Sequence, residues 1–191
     1  MTISSVKTGA VGLSLALDNN YMEPIATTFL SSTSNSIAFN DIPQTYKHLQ
    51  LRYSVRGDAA GSGGKGIQIQ INSDNSTNYT RHRFGGWGSG NEAVSNVSQT
   101  SIVVGYMPHA GHTAGNFGGG YAEILDYSSN VKNKTIRALA GYDNNATDYG
   151  YIHTLYGLWM QTTSVNSITC TLSDNGNFVQ YSRISLYGIK G

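Results

Sequence analysis

Apolar and polar residues alternate along much of this chain with a period of two, the spacing that turns one face of a strand to a core and the other to water. Over residues 48–56, Leu49, Leu51, Tyr53 and Val55 share one face, and Gln50, Arg52, Ser54 and Arg56 share the other. Residues 66–72 repeat the pattern with Ile67, Ile69 and Ile71 inward and Gln68 and Gln70 outward, and residues 167–172 do so with Ile168, Cys170 and Leu172. Less regular alternation predicts strands over 25–30, 36–39, 79–84, 101–107, 121–127, 135–142, 151–160 and 181–189. Turn signals separate these segments by roughly ten to fifteen residues, a spacing that suits a sandwich or barrel. The expected fold is all-β, a single antiparallel β-sandwich of about eight to ten strands, jelly-roll-like, with almost no helix.

Two segments depart from simple alternation. Residues 151–160 carry Ile152, Leu155, Tyr156, Leu158 and Trp159 at both parities, as expected of a strand covered on both sides or set at a subunit contact, with Leu155 and Trp159 as the contact residues. Residues 1–24 lack strand periodicity and end at Pro24. They are expected to form an arm that packs on another subunit or an anchoring protein, ahead of one sandwich domain over 25–191.

Composition supports the β reading and removes several functions. Of 191 residues only 12% are charged, about half the usual share, while 23 are Gly and 13 are Tyr. Ser, Thr and Asn compete with the helix backbone for hydrogen bonds and Gly loses backbone entropy, so helices are disfavoured. A net charge of +1 offers no basic field for phosphate, which excludes nucleic acid as an expected partner. The lone Cys170 cannot form an intrachain disulfide, and its inward parity makes it a buried thiol. The apolar stretch over residues 10–17 is too short to span a bilayer and runs into Asp18-Asn19-Asn20 without a small-residue cleavage pattern. Assembly in a cytoplasm, without membrane insertion, is the expectation.

Candidate chemistry lies in the loops over 57–65, 85–98, 109–120 and 143–148. The run Gly61-Ser62-Gly63-Gly64-Lys65-Gly66 matches a dinucleotide fingerprint in letters, but it leads into a strand where phosphate binding needs a helix N-terminus. His109 and His112 lack further ligands to complete a metal shell, and the Asx-rich runs at 72–75 and 143–148 read as turns. Glu123 and Asp126 fall on opposite parities, and no nucleophile elbow occurs. Neither an enzyme, a cofactor nor a metal is therefore expected. The Asn-x-Ser/Thr triplets at Asn75, Asn78, Asn96, Asn133 and Asn145 follow from composition. Trp87, set in Gly85-Gly86-Trp87-Gly88-Ser89-Gly90, has no local side chain to cover its indole. An exposed indole near amides suits a sugar, so Trp87, Tyr149 and Tyr151 with Asn144 and Asn145 form a candidate host-glycan platform. The alternative is that Trp87 folds back over the sandwich or into a neighbouring subunit.

Residues 36–52, with Phe39, Ile42-Pro43-Gln44-Thr45-Tyr46 and His48-Leu49-Gln50-Leu51, resemble the opening of small β-rich virion proteins of tailed bacteriophages of the cyanophage and marine phage type. Ile69-Gln70-Ile71-Asn72, Asn78-Tyr79, Tyr156-Gly157-Leu158-Trp159, Ser167-Ile168-Thr169, Gly176-Asn177-Phe178, Tyr181-Ser182 and Leu186-Tyr187-Gly188-Ile189-Lys190 continue the likeness. The resemblance implies a non-enzymatic structural protein of the virion, first a tail fibre or appendage displaying Gly-rich loops for host attachment. A capsid decoration protein (cement or head fibre) and a carbohydrate-binding module are the alternatives. It further implies contact with other virion proteins through the N-terminal arm, and a homo-oligomer with a trimer favoured.

Overall fold

The structure is a computed structural model that describes residues 21–61, 64–145, 150–173 and 175–191. Most of the expected arm lies outside the described residues. Strands occupy β1 (Met22–Phe29), β2 (Ser36–Phe39), β3 (His48–Val55), β4 (Lys65–Ile71), β5 (Tyr79–Trp87) and β6 (Gly90–Gln99). They continue through β7 (Ile102–Met107), β8 (Gly118–Leu125), β9 (Lys134–Tyr142), β10 (Tyr151–Trp159), β11 (Ile168–Leu172) and β12 (Arg183–Ile189). No described residue is helical. β1 takes in Met22, Glu23 and Pro24, the last three residues assigned by sequence to the arm. Pro24 fits there because β1 is an edge strand and its pairing with β12 is bulged between Pro24 and Ala26.

The strands form two antiparallel sheets, one ordered β1-β12-β3-β8-β9-β10-β5-β6 and the other β2-β11-β4-β7. The four strands β1-β12-β3-β8 facing β2-β11-β4-β7 reproduce a jelly roll, with the chain crossing repeatedly between the two sheets. Two hairpins are added to it. β5-β6 is inserted between β4 and β7, and β9-β10 between β8 and β11; together they extend the first sheet to eight strands. β7 then packs across β8, β9, β10 and β5.

The core fills the space between the sheets. Leu49, Leu51, Ile124, Ile136, Ile184 and Leu186 from the large sheet meet Ile37, Phe39, Ile67, Ile69, Val104, Ile168 and Cys170 from the small one, all buried. Burial of each large aliphatic side chain contributes about 1.5–3 kcal/mol.

Two expectations need correction. Residues 85–98 are not a loop. They complete the β5-β6 hairpin, where Trp87 pairs with Gly90 and Gly88 takes a φ of 45° in the two-residue turn. Leu155 and Trp159 do not face a partner. They are 1% and 2% exposed, and Leu155 lies opposite Ala138 on the core face. The Trp159 indole N–H donates to the Asp74 carboxylate at 2.7 Å, and its ring stacks on Tyr79 at 6.5 Å. The outward side chains of β10 are Ile152, Thr154, Tyr156 and Leu158.

Candidate functional site

Trp87 on β5, Tyr151 on β10 and Tyr142 on β9 are direct cross-strand partners and form one aromatic row on the inward face of the large sheet. Their ring centroids are 5.7 Å (Trp87–Tyr151) and 5.4 Å (Tyr142–Tyr151) apart, both pairs stacked. Tyr106, near the end of β7, packs on His153 at 4.8 Å. Tyr151 stands two residues further out on the same face, where the small sheet has ended, so Trp87 and Tyr151 stay half-buried while Tyr142 is covered. The indole lies across Gly90, where an added Cβ would come within 2.8 Å of it. Trp87, Tyr142, Asp143, Gly150, Tyr151 and Ile152 bound a depression of about 390 Å³.

A charged network supports the row from within. Arg83 Nη2 donates to Glu92 Oε2 at 2.6 Å, Arg83 Nε also meets Glu92, and His153 Nε2 lies 3.0 Å from Glu92 Oε1. Burial would raise the Glu92 carboxyl, but Arg83 and His153 outweigh it and hold the group below the usual carboxylate range. Burial lowers His153 despite Glu92. The Glu92 carboxylate is engaged by one guanidinium and one imidazole beneath the aromatic row, so the network acts as a support.

The loop over 109–117 closes the other side. Arg56 is 8% exposed, and its guanidinium donates to the carbonyls of His112 (2.9 Å), Thr113 (2.9 Å) and Asn116 (3.0 Å). The loop in turn holds the strand end after β9. Thr113 N donates to Asn144 Oδ1 at 2.8 Å, Thr113 Oγ1 to Asn144 O at 3.2 Å, and Asn116 Nδ2 to Asp143 O at 3.1 Å. His112 packs on Tyr142 at 5.4 Å.

The residues expected at a sugar platform thus separate. Trp87 and Tyr151 come together. Asn144 is adjacent but buried, with its amide oxygen spent on Thr113, so it positions the loop instead of meeting a ligand. Asn145 is exposed at φ 51°, its N–H donating to Asp143 Oδ1. Tyr149 lies outside the described residues. Sequence reasoning missed Tyr142, whose signal was its inward parity at the open end of β9.

The other candidates have structural employment. Nδ1 of His109 accepts from Gly111 N at 3.1 Å and Nδ1 of His112 from His109 N at 3.2 Å. No group of three His, Cys, Asp or Glu side chains suited to a metal occurs among the described residues. Asp74 ties together Ser76, Asn78 and Trp159. Asn72 Oδ1 accepts from the N–H groups of Asn166 and Ser167. Glu123 pairs with Arg137, and Asp126 with Lys47 and Lys132, so the two carboxylates have separate ion partners. Cys170 is fully buried, which pushes its thiol up to about 12. A second depression, of about 650 Å³, lies on the outward face of the large sheet over β12, β3 and β8.

No family model matches this chain, and no curated protein does. Among solved structures, the exoplasmic/lumenal domain of VIP36 in its Ca2+/Man3GlcNAc-bound form is 9% identical, covering 89% of this chain and 83% of that one, with a TM-score of 0.30. The carbohydrate recognition domain of Emp47p is 10% identical, covering 90% of each chain, with a TM-score of 0.28. Likeness at this level carries no inference about ligand.

Proposed function

We propose that this protein is a non-enzymatic, glycan-binding β-sandwich whose platform is the Trp87 indole backed by Tyr151. The observation that carries the reading is the partly exposed indole, stacked at 5.7 Å on Tyr151 and opening onto a depression edged by Asp143. A sugar ring lays its C–H face on such an indole while nearby polar groups take its hydroxyls. The stack and the Arg83–Glu92–His153 support fix the ring before binding, which reduces the ordering cost of association. Trp87→Ala is expected to abolish binding on an array of bacterial surface glycans while leaving the far-UV spectrum unchanged, and Trp87→Phe to keep part of it. A wild-type protein that binds no glycan overturns the reading.

A structural role in a virion is a second reading, compatible with the first in an appendage that meets a host surface. It draws on the resemblance over residues 36–52 and on the outward side chains Phe84, Ile152 and Tyr156, which are 63%, 63% and 53% exposed on adjacent strands β5 and β10. Aromatic and aliphatic groups gathered on one open face suit contact with another copy or another virion protein. Light scattering of the purified chain should then report an oligomer, and a strictly monomeric mass counts against this role.

A further inference from the structure

Three strands that are distant in sequence build the groove on the outward face. β12 contributes Arg183 and Tyr187, β3 contributes Gln50 and Arg52, and β8 contributes Tyr121 and Glu123. Register places Arg52 directly beside Tyr121 on one side and Ser185 on the other, and Gln50 between Tyr187 and Glu123. Small side chains at Ser54 and Ser185 leave the floor low between the larger ones.

A hydrogen-bonded chain fixes the charges. Arg137 donates from Nε to Glu123, Gln50 Nε2 donates to Glu123 Oε1 at 2.9 Å, and Arg52 Nε donates to Gln50 Oε1 at 2.6 Å. Gln50 and Glu123 are themselves buried, at 6% and 9% exposed. The Arg52 guanidinium carbon sits 5.3 Å from the centre of the Tyr187 ring. Arg52 is thereby held through Nε and its stacking, while no described residue bonds its two terminal nitrogens. The Arg183 backbone pairs with β1 and β3, but its side chain makes no hydrogen bond or ion pair to any described residue. The one carboxylate lining the groove, Glu123, is already matched by Arg137. Among the described residues, two guanidinium groups therefore stand without counter-ions beside two tyrosine rings.

We propose that this groove binds an acidic oligosaccharide, its carboxylate or sulfate held by Arg52 and Arg183 and its rings packed against Tyr121 and Tyr187. The guanidinium fork matches either oxyanion in two-point geometry. The volume of about 650 Å³ lies in the range of organic ligand sites and far exceeds that of a lone ion. A nucleic acid is the poorer fit, because its regular phosphates call for a run of cations and the chain carries a net charge of only +1. The proposal rests on the glycan-binding reading but on side chains separate from Trp87.

The test is calorimetric titration of the full chain with oligogalacturonate, with its methyl-esterified neutral counterpart, and with a sulfated dextran oligosaccharide of similar length. Binding of either acidic probe is expected, weakened at least about tenfold by Arg183→Gln and by Arg52→Gln and reduced by added salt. The preferred acidic probe distinguishes carboxylate from sulfate as the recognised group. Trp87→Ala should leave this binding unchanged. The Arg183 side chain bonds no described residue, so its variant remains informative if Arg52→Gln is unstable. Equal affinity for the methyl ester, or unchanged affinity in Arg183→Gln together with Tyr121→Ala, overturns the groove. Neutral glycans bound through Trp87 with no acidic probe bound would remove the groove alone, whereas no binding of any glycan would remove both.

Discussion

Arg56 is a cation in the protein interior whose partners among the described residues are three carbonyls and no carboxylate. Burial lowers its pKa, though not far enough for a guanidinium to lose its charge, so the hydrogen bonds must offset the desolvation. Replacing it by Met keeps the length of the stem and removes the donors. Bonds to a charged group contribute about 1.5–3 kcal/mol each. The unmade guanidinium desolvation and partial rehydration of the carbonyls return part of that sum. A net loss of about 3 kcal/mol is expected, or about 6–12 °C in melting temperature for a domain of this size. Lys at this position restores a charge but not the fork, and should recover less than half. The loop over 109–117 also holds Asn144 and Asp143 beside the aromatic row. Arg56→Met should therefore weaken glycan binding while Trp87 and Tyr151 remain intact. Thermal melting by circular dichroism and titration with a glycan identified on the array measure the two effects. A melting shift below about 2 °C, well under that range, would mean that the carbonyls are satisfied without Arg56 and would refute the reasoning.

Other expectations follow from single sites. Cys170 should resist a thiol reagent in the native protein at neutral pH and react on unfolding, because it is buried and its thiol is pushed up to about 12; rapid native labelling would contradict this packing. Gly157→Ala places a Cβ 2.2 Å from Ile102 Cδ1 and 2.3 Å from the backbone oxygen of Thr80, which cannot give way. It should cost at least about 1–3 kcal/mol in urea unfolding, and a neutral result would refute the close approach of β10 to β5. Burial holds His112 and His153 below the ordinary histidine value of 6.5. The unfolded chain then binds protons that the folded one does not, so stability is full above pH 6.5 and is lost as the pH falls below it. A melting temperature that stays level or rises between about pH 7 and about pH 5 would reverse that sign.

Strands with a clean inside and outside were legible in the sequence. β3, β4 and β11 each have one face against the core and show strict alternation. β6 was not legible as a strand. Its residues run Gly90-Asn91-Glu92-Ala93-Val94-Ser95-Asn96-Val97-Ser98-Gln99, and it is an edge strand whose two faces are half-covered and exposed in turn, so it needs no large apolar side chains. Periodicity also failed at β10, which is apolar on both faces. Alternation can say that Leu155 and Trp159 share a face, but only pairing with Ala138 and Tyr79 decides that this face is the inner one.

The two candidate sites differ in legibility for the same reason. Trp87 could be suspected alone, since an indole among glycines has nothing local to cover it, and Tyr151 followed from its own strand. The groove could not be read from any one segment, because Arg52 was visible only as an outward residue on an ordinary strand. In a jelly roll, however, the last strand lies between the first and the third, and here the eighth borders the third as well. That order carries Arg183 and Tyr187 to one side of Arg52 and Tyr121 to the other. Parity supplies the face and topology supplies the neighbours. An outward arginine in a charge-poor chain gains chemical meaning only when both are known, because the same guanidinium with a carboxylate opposite it, as Arg137 has in Glu123, is neutralised within the sheet.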